Sequence, residues 1–319
     1  MPTQFDILAL GEAMVEFNQL PEQPNHYLQG FGGDTSNAVI AASRQGVRCG
    51  YLSAVGDDPF GASLLDLWQR EGVACDQVPV TPQTPTGIYF VTHDKTGHHF
   101  HYRRRDSAAA KMQAGQLPLE LIAYMRWLHV SGISLAISAT ACDTAFAAMQ
   151  AARASGVQIS FDTNLRLALW PLAQARERMI QALALADLAL PSLDDVTLLF
   201  DVADPELLVE RILALGPKLV VLKLGERGCL VASPTERRYI PPYPVKAIDA
   251  SGAGDCFAGA LLARLVRGDD PFQAARYAGV AAALSTTGFG AIAPIPYAPE
   301  VHRALATAAP ETTLHITSV

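Results

Sequence analysis

The stretch with the clearest chemical content is IDASGAGDCFAGA, residues 248–260. Small residues from Ala250 to Gly254 leave the backbone almost bare, and the apolar run 256–266 behind them has helical spacing. A loop feeding a helix N-terminus in this way presents unpaired N–H groups, and the helix dipole adds to their attraction for an anion. Asp255 falls in the first turn, beside whatever anion binds there. A carboxylate next to a phosphate suits one task, which is to take the proton of an attacking hydroxyl. The same string also fits an ordinary capped helix. Taken alone, it does not separate the two.

A second stretch, GFGGDTSN over residues 30–37, leads into a small-residue run 38–45 that stops at Gly46. Its pattern is a glycine turn, a capping cluster and a helix. The paired glycines allow a ligand close to the backbone, and Asp34 and Asn37 offer hydrogen bonds at that point. A plain capped helix is again the competing reading.

These groups need elements to hold them. Residues 5–17 begin as a buried strand and end in alternation around Glu12, Met14 and Glu16. A polar, proline-containing loop follows, then a strand over 49–56 and a helix over 59–71. Residues 86–104 break this rhythm: 87–91 and 99–102 are strand-like and joined through 94–97, which predicts a hairpin. Together with the end of the first strand it forms a small β lid, drawn from roughly 11–30 and 86–106. The hairpin carries His93, His98, His99 and His101. Neighbouring side chains alternate across a strand and no cysteine or acidic pattern accompanies them, so a solvated or partner-facing hairpin is favoured over a metal site.

From residue 127 the alternation is regular. Strands are expected over 127–130, 157–162, 188–191, 219–224 and 229–233. Helices are expected over 139–155, 172–186, 194–200, 205–215, 271–287 and 299–308. This predicts one α/β domain over 1–319, a doubly wound, mostly parallel sheet with helices on both faces. Ligands gather at the carboxyl ends of such strands. The polar groups Asp162 to Arg166, Ser192, Asp194, Asp195 and Lys223 to Gly228 fall there.

Composition narrows the function. Half of the 319 residues are hydrophobic and 17% are charged, so a large core is within reach. The net charge of −7 argues against a general nucleic-acid surface. An anionic small molecule would need a local arginine cluster. The five cysteines are scattered without a C-x-x-C pair, which gives no support to a disulfide framework or zinc site and suits a reducing cytoplasm. The N-terminus does not read as a signal peptide, and no apolar run reaches the ~18 residues of a membrane span.

Two separate stretches, 32–37 and 249–255, resemble in order and distance the two signatures of the ribokinase-like (PfkB) sugar kinases. The likeness extends over 102–110, 128–137, 161–170 and 192–195, and is strongest to the branch acting on 2-keto-3-deoxygluconate. The resemblance implies a ribokinase-type core, ATP with Mg²⁺, and a β lid that often mediates dimerisation. Asp255 matches the catalytic base, and Gly252, Ala253 and Gly254 match the anion hole for the transferring phosphate. On the ATP side stand Asn164, Arg166, Ser192, Lys223, Gly225, Gly228 and Ser251. Gly33, Asp34 and Asn37 would grip sugar hydroxyls, with Tyr89 and Tyr102 closing over them.

Arg104 and Arg166 match substrate-facing arginines of that branch, and a guanidinium pair suits a sugar acid rather than a neutral sugar. A solvated charge run is the other reading of Arg103-Arg104-Arg105. Two positions depart from the pattern: Ala250 replaces Thr, Pro or Ser, and Leu165 replaces a tyrosine. The resemblance implies phosphorylation of 2-keto-3-deoxygluconate at its terminal hydroxyl. A fructokinase or ribokinase activity is the alternative, with a non-catalytic sugar-acid sensor behind it.

Overall fold

Apolar runs buried on both sides become the inner strands of a sheet, and the helices between them set its direction. In the computed structural model, which describes residues 5–20, 22–94 and 97–307, nine strands among the described residues form the main sheet. From one edge to the other they are Arg237–Ile240, Cys229–Ala232, Leu219–Lys223, Leu188–Ala189, Gln158–Asp162, Trp127–Ser131, Ile7–Leu10, Cys49–Leu52 and Val73–Ala74. Pairing is parallel from Leu219–Lys223 to Val73–Ala74. At the other edge the pairings of Cys229–Ala232 with Leu219–Lys223 and with Arg237–Ile240 are antiparallel.

Successive side chains in each strand point to opposite cores. Ile7, Ala9, Leu188 and Val221 face a cluster that includes residues of helices Asp34–Arg44, Pro59–Arg70, Ala253–Val266 and Pro271–Ser285. Leu8, Leu10, Ala189, Val220 and Leu222 face the second cluster, with Ala139–Ala154, Leu172–Leu185, Leu193–Phe200 and Pro205–Leu215. The strand order reverses between Ile7–Leu10 and Trp127–Ser131. That makes the carboxyl ends there the natural place for a ligand.

A separate four-stranded sheet pairs Gln23–Gly32, Met14–Leu20, Ile88–Asp94 and Gly97–Arg103 in that order. The hairpin over 88–103 is as the sequence predicts, and Met14–Leu20 pairs with it in parallel. The expected loop after residue 17 is instead mostly strand. Gln23–Gly32 is an exposed edge strand, so it carries polar residues on both faces and no apolar alternation marks it. Pro24 is tolerated because an edge leaves one row of N–H groups unpaired.

Two further strands differ from expectation. Residues 49–56 divide into Cys49–Leu52 in the main sheet and Val55–Gly56, which pairs with Val80–Thr81. Arg237–Ile240 buries only Ile240, too little apolar patterning to read as a strand. Residues 1–4, Pro21, Lys95, Thr96 and 308–319 lie outside the described residues. Among the described residues no helix is long and apolar enough to cross a membrane.

Candidate active site

Two helix N-termini meet at the site. Helix Ala253–Val266 is preceded by Gly252 in the left-handed region (φ 72°), and no side chain caps it. Its first turn therefore keeps N–H groups for an outside acceptor. Asp249 fixes the turn, accepting from Ser251 N and Gly290 N at 2.9 Å each. Helix Asp34–Arg44 likewise lacks a side-chain cap and starts after Gly33 at φ 131°. A Cβ on Gly33 would stand 2.5 Å from the Glu12 carbonyl oxygen, so only glycine fits.

The helices touch closely at Gly259, where a Cβ would lie 2.0 Å from the Ala38 oxygen. This contact lets Asn37 Nδ2 donate to Asp255 Oδ2 at 2.9 Å. Asn164, held at φ 29°, donates from Nδ2 to Asp34 Oδ2 at 3.0 Å. Burial pushes the Asp255 carboxyl up to about 8, with the charges of Asp34 and Asp162 adding to it and Asn37 and Lys223 opposing. Burial, and then Asp162, raise Asp34 as well.

A cleft of about 360 Å³ runs from Asp255 across the strand ends. Its lining includes Asn164, Arg166, Ser192, Lys223, Gly225, Gly252 and Gly254, together with Asp162, Asp194 and Asp195. Lys223 Nζ lies 2.5 Å from Asp162 Oδ2, and a Cβ on Gly254 would stand 3.5 Å from that nitrogen. The lysine thus sits directly under the glycine turn. Asp195 Oδ2 accepts from Thr163 Oγ1 at 2.8 Å and Leu165 N at 3.1 Å, holding the loop after strand Gln158–Asp162.

Gly228, Ser251 and Ala253 are not among the lining residues. Gly228 packs against Ile240, whose oxygen a Cβ would meet at 2.2 Å. Leu165 is buried in the second core, which removes it from the cleft surface. Ala250 lines the cleft.

On the small sheet, Tyr89 and Tyr102 have ring centroids 5.6 Å apart, and Tyr89 donates to Glu16 Oε2 at 2.6 Å. Of the three consecutive arginines, Arg103 and Arg105 are exposed and Arg104 is buried, 9% exposed. Arg104 Nε donates to Glu12 Oε2 at 2.7 Å, and Nη2 lies 2.5 Å from the same oxygen. Arg166 is exposed, and its Nη1 donates to the Leu165 oxygen.

Sequence reasoning placed no role on Glu12 or Ser107, and named Asp162 only among the polar groups at the strand ends. Glu12 read only as strand alternation, although a Gly-Glu pair directly after a buried strand marks the carboxyl end where ligands gather.

A mostly parallel sheet, a separate small sheet and a glycine-turn cleft at the strand ends define a ribokinase-like sugar kinase. Residues 4–298 match the family described as pfkB family carbohydrate kinase. A 2-dehydro-3-deoxygluconokinase from Thermoproteus tenax is 34% identical over 292 residues, 87% of each chain. A fructokinase-2 from Solanum habrochaites is 31% identical over 315 residues, covering 92% of this chain and 94% of its own. An E. coli protein assigned as ribokinase II, solved with ATP and Mg²⁺, superposes with a TM-score of 0.88 at 29% identity, over 95% of this chain and 100% of that one. The chain belongs to the PfkB family of carbohydrate kinases.

Proposed function

We propose that this kinase transfers the terminal phosphoryl group of ATP to the 6-hydroxyl of 2-keto-3-deoxygluconate, giving 2-keto-3-deoxy-6-phosphogluconate and ADP. One observation carries the choice of substrate. Asp34 Oδ1 and Asn37 Oδ1 are buried without a hydrogen-bond partner, and Arg104 Nη2, 2.5 Å from Glu12 Oε2, makes no well-aimed hydrogen bond. Buried polar groups are rarely left so, because each costs about 1–3 kcal/mol. Two acceptors match sugar hydroxyls, and a buried guanidinium nitrogen matches a carboxylate.

In this reading Asp255 accepts the proton of the attacking hydroxyl as its oxygen bonds to phosphorus and the bond to ADP breaks. The N–H groups of Gly252 and Gly254 hold the transferring phosphoryl oxygens, stabilising charge that develops in the transition state, while the Ala253 N–H donates to the Ala250 oxygen at 3.2 Å and closes the turn. Asn37 orients Asp255. Asn164 ties the sugar side to the nucleotide side through Asp34. Tyr89 and Tyr102 close over the sugar, while Ser192, Lys223, Gly225 and Arg166 face the nucleotide.

The acidic groups of the cleft are Asp162, Asp194, Asp195 and Asp255. Among the described residues no three His, Cys, Asp or Glu groups stand together as a metal cage. That donor set fits Mg²⁺ arriving with the nucleotide and held largely by phosphate and water. The ion would neutralise phosphate charge. Dimerisation through the small sheet belongs to the same reading, supported by Tyr27 and Leu28 exposed on its edge strand.

A neutral-sugar kinase is the second reading. It is favoured by the pairing of Arg104 with Glu12, which leaves the pair without net charge, and by fructokinase relatives at similar identity. Arg104→Ala separates the two. It should cut kcat/KM for the sugar acid far more than for fructose; equal losses on both would favour the neutral sugar.

A further inference from the structure

The small sheet connects to the core through four chain segments, near residues 11–13, 32–33, 86–87 and 104–107. Glu12 meets all four. It lies on the first, and its carbonyl oxygen packs against Gly33 on the second. On the third, a Cβ at Gly87 would come within 2.6 Å of Glu12 Oε1, so the absent side chain makes room for the carboxylate. From the fourth, Arg104 Nε donates to Oε2 at 2.7 Å and Ser107 Oγ donates to Oε1 at 2.5 Å. Glu12 is 2% exposed, and both its oxygens are used within the protein.

This arrangement divides the guanidinium of Arg104. The edge formed by Nε and Nη2 faces Glu12 Oε2, at 2.7 and 2.5 Å, and of the two only Nε makes a well-aimed hydrogen bond. A planar fork fixed along one edge presents its other edge in a defined direction. The Glu12 backbone also abuts Gly33, whose helix carries Asp34 and Asn37. One residue therefore sets the placement of the guanidinium relative to the hydroxyl-binding groups.

We propose that Glu12 is a positioning residue: it fixes Arg104 at the junction of the two sheets so that the guanidinium meets a substrate carboxylate while Asp34 and Asn37 meet the hydroxyls. This rests on the sugar-acid reading above. Glu12 does not touch the substrate and acts through Arg104.

The test is a double-mutant cycle of Glu12→Gln and Arg104→Met, with KM for 2-keto-3-deoxygluconate, KM for ATP and Tm measured on each protein. Glu12→Gln should raise the sugar-acid KM by about 10²-fold, the scale of a misplaced binding group, and leave the ATP KM in place. In the Arg104→Met background, adding Glu12→Gln should raise Tm, because it removes a buried carboxylate left without its cation, and should not change the sugar-acid KM further. Losses that multiply in the double variant would overturn the proposal, as would an unchanged sugar-acid KM in Glu12→Gln. Parallel increases in both KM values would also overturn it, since general damage to the fold predicts them. If Glu12→Gln alone does not fold, the comparison within the Arg104→Met background decides. A wild-type enzyme inert on the sugar acid would instead sink the substrate reading itself.

Discussion

Asn37 donates to the carboxylate of Asp255 across a separation of 218 residues, joining the starts of two helices that carry the two glycine turns. The amide does two things. It aims one carboxylate oxygen, and it opposes the rise in proton affinity that burial imposes on Asp255. In the proposed reaction the other oxygen takes the proton of the attacking hydroxyl.

If Asp255 is the base, Asp255→Asn should lower kcat by about 10²–10⁴-fold, with ATP binding near that of the parent protein. Steady-state kinetics and nucleotide calorimetry check both parts. Turnover close to the parent rate would remove Asp255 from the reaction.

The raised proton affinity of Asp255 has a definite sign. The carboxyl must be ionised to accept a proton, so log(kcat/KM) should rise with pH and level off above about 8. Stability runs the other way. A carboxyl with raised folded-state pKa stabilises the fold fully below its unfolded value, about 4. That contribution is lost as pH rises through about 8. Thermal melts of the parent and Asp255→Asn proteins should therefore diverge in alkaline buffer, with the variant melting higher at pH 9.

Gly259 packs against the backbone oxygen of Ala38 in the neighbouring helix. Backbone cannot swing aside as a side chain can. Gly259→Ala should cost about 1–3 kcal/mol, read from urea unfolding, and should also reduce activity by moving Asn37 off Asp255. A variant with unchanged midpoint and activity would show that the helices have slack.

Lys223 and Asp162 are both largely buried, at 16% and 5% side-chain exposure, and lie 2.5 Å apart. Removing only one charge leaves the other unpaired. Lys223→Met should destabilise the fold by about 3–5 kcal/mol, and adding Asp162→Asn should recover most of that loss. A double variant no more stable than the single one would contradict this view of the pair.

Much of the fold could be read from the sequence because its signals are local. Buried parallel strands are continuous apolar runs, and glycine turns with capping residues mark where helices begin. Strand Gln23–Gly32 escaped because an exposed edge needs no apolar pattern. The glycine turns, Asp34, Asn37 and Asp255 were legible as motifs. Glu12 was not, because its role arises only when four distant segments meet around it, and a single buried glutamate carries no spacing signal. Arg104 shows the same limit: Arg103, Arg104 and Arg105 look alike in the chain, and only packing reveals which one is buried.

The central claim is the pairing of kinase chemistry with a sugar-acid substrate. It is tested most directly by following ATP consumption in the presence of Mg²⁺ on 2-keto-3-deoxygluconate, fructose and ribose in parallel. The account predicts turnover on the sugar acid with little on either neutral sugar. Turnover confined to fructose or ribose would leave Asp255 and the glycine turn in place but contradict the role given to Arg104.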